Sequence, residues 1–96
     1  MNPDDLTVRH DEEAGRFETD LECGTAYVAY RLGDGALDLV STWVPTQHRE
    51  LGIGARVVTA ALEYAREHGL EVIPTCPFVP RVLADHPEYE GLVRDA

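Results

Sequence analysis

A chain of 96 residues, 44% apolar and 7% aromatic, has the size and composition of one small globular α/β domain, residues 1–96, rather than a disordered or fibrous segment. Its net charge of −10, with arginine as every one of the eight basic residues, argues against nucleic-acid binding, which needs a basic footprint. No apolar run approaches the roughly 18 residues of a membrane span, and the acidic N-terminal stretch does not read as a signal peptide, so a cytoplasmic protein without a membrane partner is expected.

Leu6–His10 alternates well enough for a first strand, and residues 11–15 supply a polar turn. Arg16–Leu21 alternates Phe17, Thr19 and Leu21 against Arg16, Glu18 and Asp20, which predicts a strand with one buried and one wet face. After a turn at Glu22–Gly24 comes a third strand, Thr25–Leu32, and Gly33-Asp34-Gly35 reads as a tight hairpin. Ala36–Val44 is the most apolar strand and is expected near the sheet centre, completing an antiparallel meander. A helix follows from about Leu51 to His68, with Ile53, Val57, Val58, Ala61, Leu62 and Ala65 on one face and Gly69 as its stop. Leu70–Pro74 is a short fifth strand, parallel to the fourth because a helix separates them. Pro77–Asp85 reads as a second helix, with both its prolines tolerable in or before the first turn. Glu88–Val93 is expected to close the domain as a last short strand.

Chemistry concentrates where the fourth strand gives way to the long helix, in Val44-Pro-Thr-Gln-His-Arg-Glu-Leu-Gly-Ile-Gly54. A helix start carries unpaired N–H groups and roughly half a positive charge, and glycines there let an anion approach the main chain. The spacing Arg49-x-x-Gly52-x-Gly54 is not a Walker A loop, because the chain contains no lysine. Nor is it a dinucleotide fingerprint, because Val57 stands at the third glycine position. It resembles instead the Arg/Gln-x-x-Gly-x-Gly/Ala signature of the GNAT superfamily, the acyl-CoA-dependent N-acyltransferases.

The resemblance becomes specific further along. Val-Ile-Pro-x-Cys-x-Phe-Val (residues 72–79) and His-Pro-x-Tyr (residues 86–89) follow the cradle in the order seen in small single-domain GNAT-like N-acetyltransferases, and the likeness runs from Phe17 to Tyr89. It implies a mixed, mostly antiparallel sheet of four strands, helix, fifth strand and second helix, splayed between the fourth and fifth strands, with the acyl-CoA arm in that gap. Carried over to this chain, Trp43 and Val44 would offer backbone groups to the pantetheine. The loop from Gln47 to Gly54 would hold the pyrophosphate, with Arg49, Glu50, Leu51, Gly52, Ile53 and Gly54 around the phosphates. Cys76 would be the catalytic group, since a thiol at a helix N-terminus gains acidity. A small buried thiol packed at a strand end is the other reading of the same residue.

Two positions depart from the family pattern. Val82 stands where many members carry a tyrosine that protonates the departing thiolate, leaving Cys76, Tyr89 or water to act. Ser41-Thr42 replaces a His-Thr pair, and a hydroxyl lacks the near-neutral pKa of histidine. The four histidines, His10, His48, His68 and His86, show no metal-ligand spacing, and no metal is expected. Cys23 and Cys76 are expected to be free thiols rather than a disulfide.

The resemblance thus implies transfer of an acetyl group from acetyl-CoA to an amine by direct attack on the thioester. The alternatives are a non-catalytic acyl-CoA-binding or regulatory module and an interaction protein with an acidic face. Residues 1–24 hold eight acids against Arg9 and Arg16, whereas residues 46–70 balance three acids with three arginines. An acidic remainder attracts a cationic acceptor, a small amine or basic peptide, and also serves solubility. The short chain leaves the expected cleft open, which a homodimer would complete.

Overall fold

The computed structural model describes residues 7–21, 24–45 and 52–94. Five strands form one sheet in sequence order: β1 (Arg9–Asp11), β2 (Arg16–Leu21), β3 (Gly24–Gly33), β4 (Ala36–Trp43) and β5 (Glu71–Ile73). The first three pairings are antiparallel and β4–β5 is parallel. Helix α1 (Ile53–Glu67) makes the crossover, and α2 (Phe78–Asp85) follows β5. The expected α/β architecture and element order are therefore present. The middle strand is β3, with β4 between it and the short edge strand β5.

The Asp34-Gly35 hairpin has positive φ at both residues, 54° and 74°, with Gly33 paired to Ala36 across it. That is the turn geometry whose twist matches two antiparallel strands. At the other end of β4 the register slips: Ala29 pairs with Ser41 but Tyr30 with Leu39, leaving Val40 as an extra residue. A bulge of this kind bends a strand and sharpens its twist.

The inner face of the sheet, bearing Phe17, Val28, Leu37, Leu39 and Val72, forms one cluster with Val57, Val58, Ala61 and Leu62 of α1 and Val79, Val82 and Leu83 of α2. The apolar face read from residues 53–65 is the face buried, with Ile53, Gly54, Val57, Val58, Ala61, Leu62 and Ala65 all inside. The opposite face of β2 is less wet than the alternation predicts, because Glu18 is 7% exposed. Arg9 and Arg16 lie over it, with Nη2 atoms 2.9 and 3.1 Å from its two carboxylate oxygens, and Arg16 also spans the ring of Tyr27. Arginine stems cover the carboxylate while their forks neutralise it.

The closing strand expected at 88–93 is instead a 3-10 helix over Pro87–Leu92, and only Val93 bridges β5, at Val72. Pro87 has no N–H for a sheet ladder and suits a first helical turn. The Tyr89 side chain turns inward and donates its hydroxyl hydrogen bond to Glu63 of α1. Arg66 grips the same carboxylate at 2.6 and 2.7 Å and lies over the Tyr89 ring. Burial, followed by the Glu63 carboxylate, raises the Tyr89 pKa to about 12. The Tyr89 hydrogen bond, ahead of Arg66, holds Glu63 below the usual carboxylate range.

The Tyr89 contribution is complete below the ordinary tyrosine pKa of 10.0 and is lost as pH rises toward about 12, because the unfolded chain ionises first. Tyr89→Phe should lower stability at neutral pH by about 1–2 kcal/mol, a hydrogen bond to a charged acceptor. It should also reduce the stability lost between pH 10.0 and about 12, measured by urea titration across that window.

Candidate acyl-donor cleft

Parallel pairing of β4 with β5 covers three residues of β4, Ala36, Leu37 and Asp38. The chain leaves β5 at Pro74, and its last tie to β4 is the Cys76 amide donating to the Leu39 carbonyl at 2.8 Å. On its other side β4 stays paired to β3 as far as Trp43. The second half of β4 therefore has β3 along one edge and the diverging chain along the other. The splay implied by the sequence lies where it was expected.

A cleft of about 570 Å³ fills this divergence. Thr42, Trp43 and Val44 form one wall, Gly52, Gly54 and Ala55 at the start of α1 form the second, and Phe78 and Arg81 of α2 form the third. Trp43 is 47% exposed at the mouth, whereas Val44 is buried. Gly52 caps α1 with φ 74°, a left-handed conformation that disfavours any side chain. Among the described residues no side chain caps the helix start, and its first turn holds no acid. The main-chain positive end of α1 thus meets the cleft without a neutralising side chain from the described residues.

Gly54 is a glycine for a second reason. A Cβ there would stand 2.9 Å from the Phe78 ring and 3.2 Å from a Val44 methyl. The missing side chain lets the first turn of α1 touch both α2 and β4. Ile53 between the glycines is 1% exposed and packs with Leu21, Ala26 and Val44, so any part it plays in the cleft is through its main chain.

Of the other residues singled out by sequence, Gln47, Arg49, Glu50 and Leu51 lie outside the described residues, as do Cys23 and His48. Cys76 is buried in the main core and does not line the cleft. Its Sγ lies 3.4 Å from the Thr42 hydroxyl, which does. Val82 is core. Tyr89 does not reach the cleft, being held by Glu63 on another face of α1. His86 sits beside Glu88, and His10 stacks on Phe17 and hydrogen-bonds Tyr30; neither lines the cleft. Among the described residues no group of three His, Cys, Asp or Glu side chains could hold a metal ion. No described helix is long and apolar enough to cross a membrane.

Arg81 belongs to none of the motifs the sequence displays, and Phe78, which stands in Val-Ile-Pro-x-Cys-x-Phe-Val, was given no role there. Their one signal is an i, i+3 spacing that puts both on the same face of α2, just after Cys76-Pro77.

Comparison with known proteins decides the family. Residues 16–92 match the family described as GCN5-related N-acetyl-transferase. The chain belongs to the GCN5-related N-acetyltransferases. Among solved structures, a protein of Staphylococcus aureus determined in solution by NMR, described as GCN5-like, shares its fold. The two are 26% identical with a TM-score of 0.73, over 95% of this chain and 90% of that one. Acyl transfer is the chemistry of this family and fold. The match begins at β2 and ends with the 3-10 helix, so every wall of the cleft falls within it.

Gly54→Ala tests how tightly the cleft walls meet. The added methyl must displace the Phe78 ring or Val44, and stability should fall by about 1–3 kcal/mol. Adding Phe78→Leu should restore part of that loss, read as the difference between the double variant and the two single ones in urea unfolding.

Proposed function

We propose that this protein transfers an acetyl group from acetyl-CoA to an amine. The observation that carries the reading is the cleft itself, with the start of α1 at one end and the part of β4 beyond its pairing with β5 along its side. The volume of about 570 Å³ suits the pantetheine arm and phosphates of an acyl-CoA, with the adenosine outside. Gly52, Gly54 and Ala55 would meet the diphosphate through main chain, and Trp43 and Val44 would line the arm. A cationic acceptor, a small amine or basic peptide, fits a chain of net charge −10.

The amine nitrogen attacks the thioester carbonyl, the C–N bond forms as the C–S bond breaks, and the departing sulfur needs a proton. Thr42 lines the cleft, and its Oγ1 lies 3.4 Å from Cys76 Sγ. In this reading Cys76 gives up its proton through the Thr42 hydroxyl, and the proton shed by the attacking amine restores it. Main-chain N–H near Val44 would stabilise the charge on the carbonyl oxygen. A non-catalytic acyl-CoA-binding module is the second reading, favoured by the apolar Val82 in the core and by the burial of Cys76.

CoA at about 100 times its Kd should stabilise the fold by roughly 2.7 kcal/mol, seen as a rise in Tm. No shift with either CoA or acetyl-CoA would end the donor assignment. Across a panel of amines, Cys76→Ala and Thr42→Val should each lower kcat by about a hundredfold while leaving CoA affinity within twofold. Tight CoA binding without turnover on any amine would select the module instead.

A further inference from the structure

We propose that Arg81 is a phosphate-binding residue of the cleft, holding the diphosphate of the CoA donor from the α2 side opposite the start of α1; this rests on the acyl-CoA reading above. Arg81 is exposed, lines the cleft with Gly52, Gly54 and Ala55, and forms no ion pair or hydrogen bond with any described residue. Four of the other described arginines are committed: Arg9 and Arg16 to Glu18, Arg66 to Glu63, and Arg94 to Glu71. Arg31 and Arg56 also lack a described ion pair, but Arg81 alone of these three lines the cleft.

Geometry fixes which way it faces. Phe78 and Arg81 are one turn apart on α2, so they share a face, while Val79, Val82 and Leu83 point into the core. The Phe78 ring lies against Gly54, in the first turn of α1. The next turn of that same α2 face therefore carries the Arg81 guanidinium alongside the α1 start. There the amides supply partial positive charge from one side, and a planar fork of donors supplies a full one from the other. A guanidinium matches two oxygens of a phosphate at once, which a lone helix end cannot do. It would also draw a highly anionic donor toward a molecule whose overall charge repels it.

The test compares wild type, Arg81→Gln and Arg31→Gln, using CoA and S-acetylpantetheine as probes. Arg31 is exposed on β3, lines no part of the cleft, and matches the charge change. Neither arginine has a described ion-pair partner, so both variants should keep the wild-type Tm. Calorimetry should show Arg81→Gln binding CoA about tenfold more weakly, with a shallower salt dependence. Its affinity for S-acetylpantetheine, which has no diphosphate, should be unchanged, and Arg31→Gln should bind both like wild type. An Arg81→Gln protein that binds CoA as tightly as Arg31→Gln does, or that weakens equally toward both probes, would overturn the assignment. Failure of wild type to bind CoA at all would instead sink the donor reading on which it rests.

Discussion

The parting of β4 from β5 after three paired residues creates the site, and nothing in the local propensity of either strand demands it. A parallel edge strand normally continues until its partner ends, since each further pair satisfies two backbone groups. Here two features stop it. Pro74, immediately after β5, has no N–H to donate and holds its φ fixed. Val40, the bulged residue of β4, bends that strand at the level where pairing ceases. The Cys76 amide then makes a single bond to Leu39, which pins the diverging chain at the base of the cleft and brings the start of α2 beside the start of α1. Once the strands part, three walls of different chemistry converge on the gap: the end of β4, the start of α1 and a helix face with an aromatic ring and a cation.

That arrangement is held by contacts lying elsewhere. Leu37 and Val72, paired across the short β4–β5 ladder, are both fully buried under α1 and α2, so the strands are clamped below the split by side chains rather than by hydrogen bonds above it. The C-terminal 3-10 helix adds a second clamp. Tyr89 ties it to Glu63 on α1, while the Arg94 amide donates to the Val72 carbonyl and its side chain pairs with Glu71. β5 is only three residues long, and without these ties its outer edge would be an exposed and weakly held strand. A motif of the sequence, His86-Pro-Glu-Tyr89, therefore has a structural use: Pro87 starts the turn and Tyr89 anchors it, well away from the cleft.

Periodicity carried most of the architecture. The face of α1 was legible because the six apolar residues read at three- and four-residue steps are all buried, and the hairpin because Asp-Gly is a pair that tolerates two positive φ angles. Alternation misled at Glu18 because pattern alone does not reveal that two arginines from neighbouring positions fold over a carboxylate and cover it. It misled again at 88–93, where a side-chain bond to a distant helix outweighs weak strand propensity. The glycines of the cradle were legible as residues and only half legible as reasons. Gly52 answers to its own backbone angle, but Gly54 answers to Phe78 and Val44, which are respectively 24 and 10 positions away in sequence and meet only in the folded chain. Arg81 was invisible for the same reason, since a lone arginine on a short helix carries no pattern until the opposite wall is known.

Charge distribution follows from these packing constraints. Strand β2 carries Glu18 and Asp20, which are met by Arg9 of β1 and Arg16, and α1 carries Glu63 and Arg66 as an internal pair. These pairings use up arginines on carboxylates that folding itself brings near. The first turn of α1 holds no acid, and the α2 residues that line the cleft are Phe78 and Arg81. An acidic protein thereby keeps one concave surface from repelling an anion, at the spot where helix α1 begins and Gly52 is exposed. Under the proposed function, a donor running from that spot along β4 toward Thr42 would be anionic at one end and neutral at the other. A linear acyl thioester of CoA meets both conditions; a compact anion such as a nucleotide meets only the first-turn requirement and leaves the β4 edge unused.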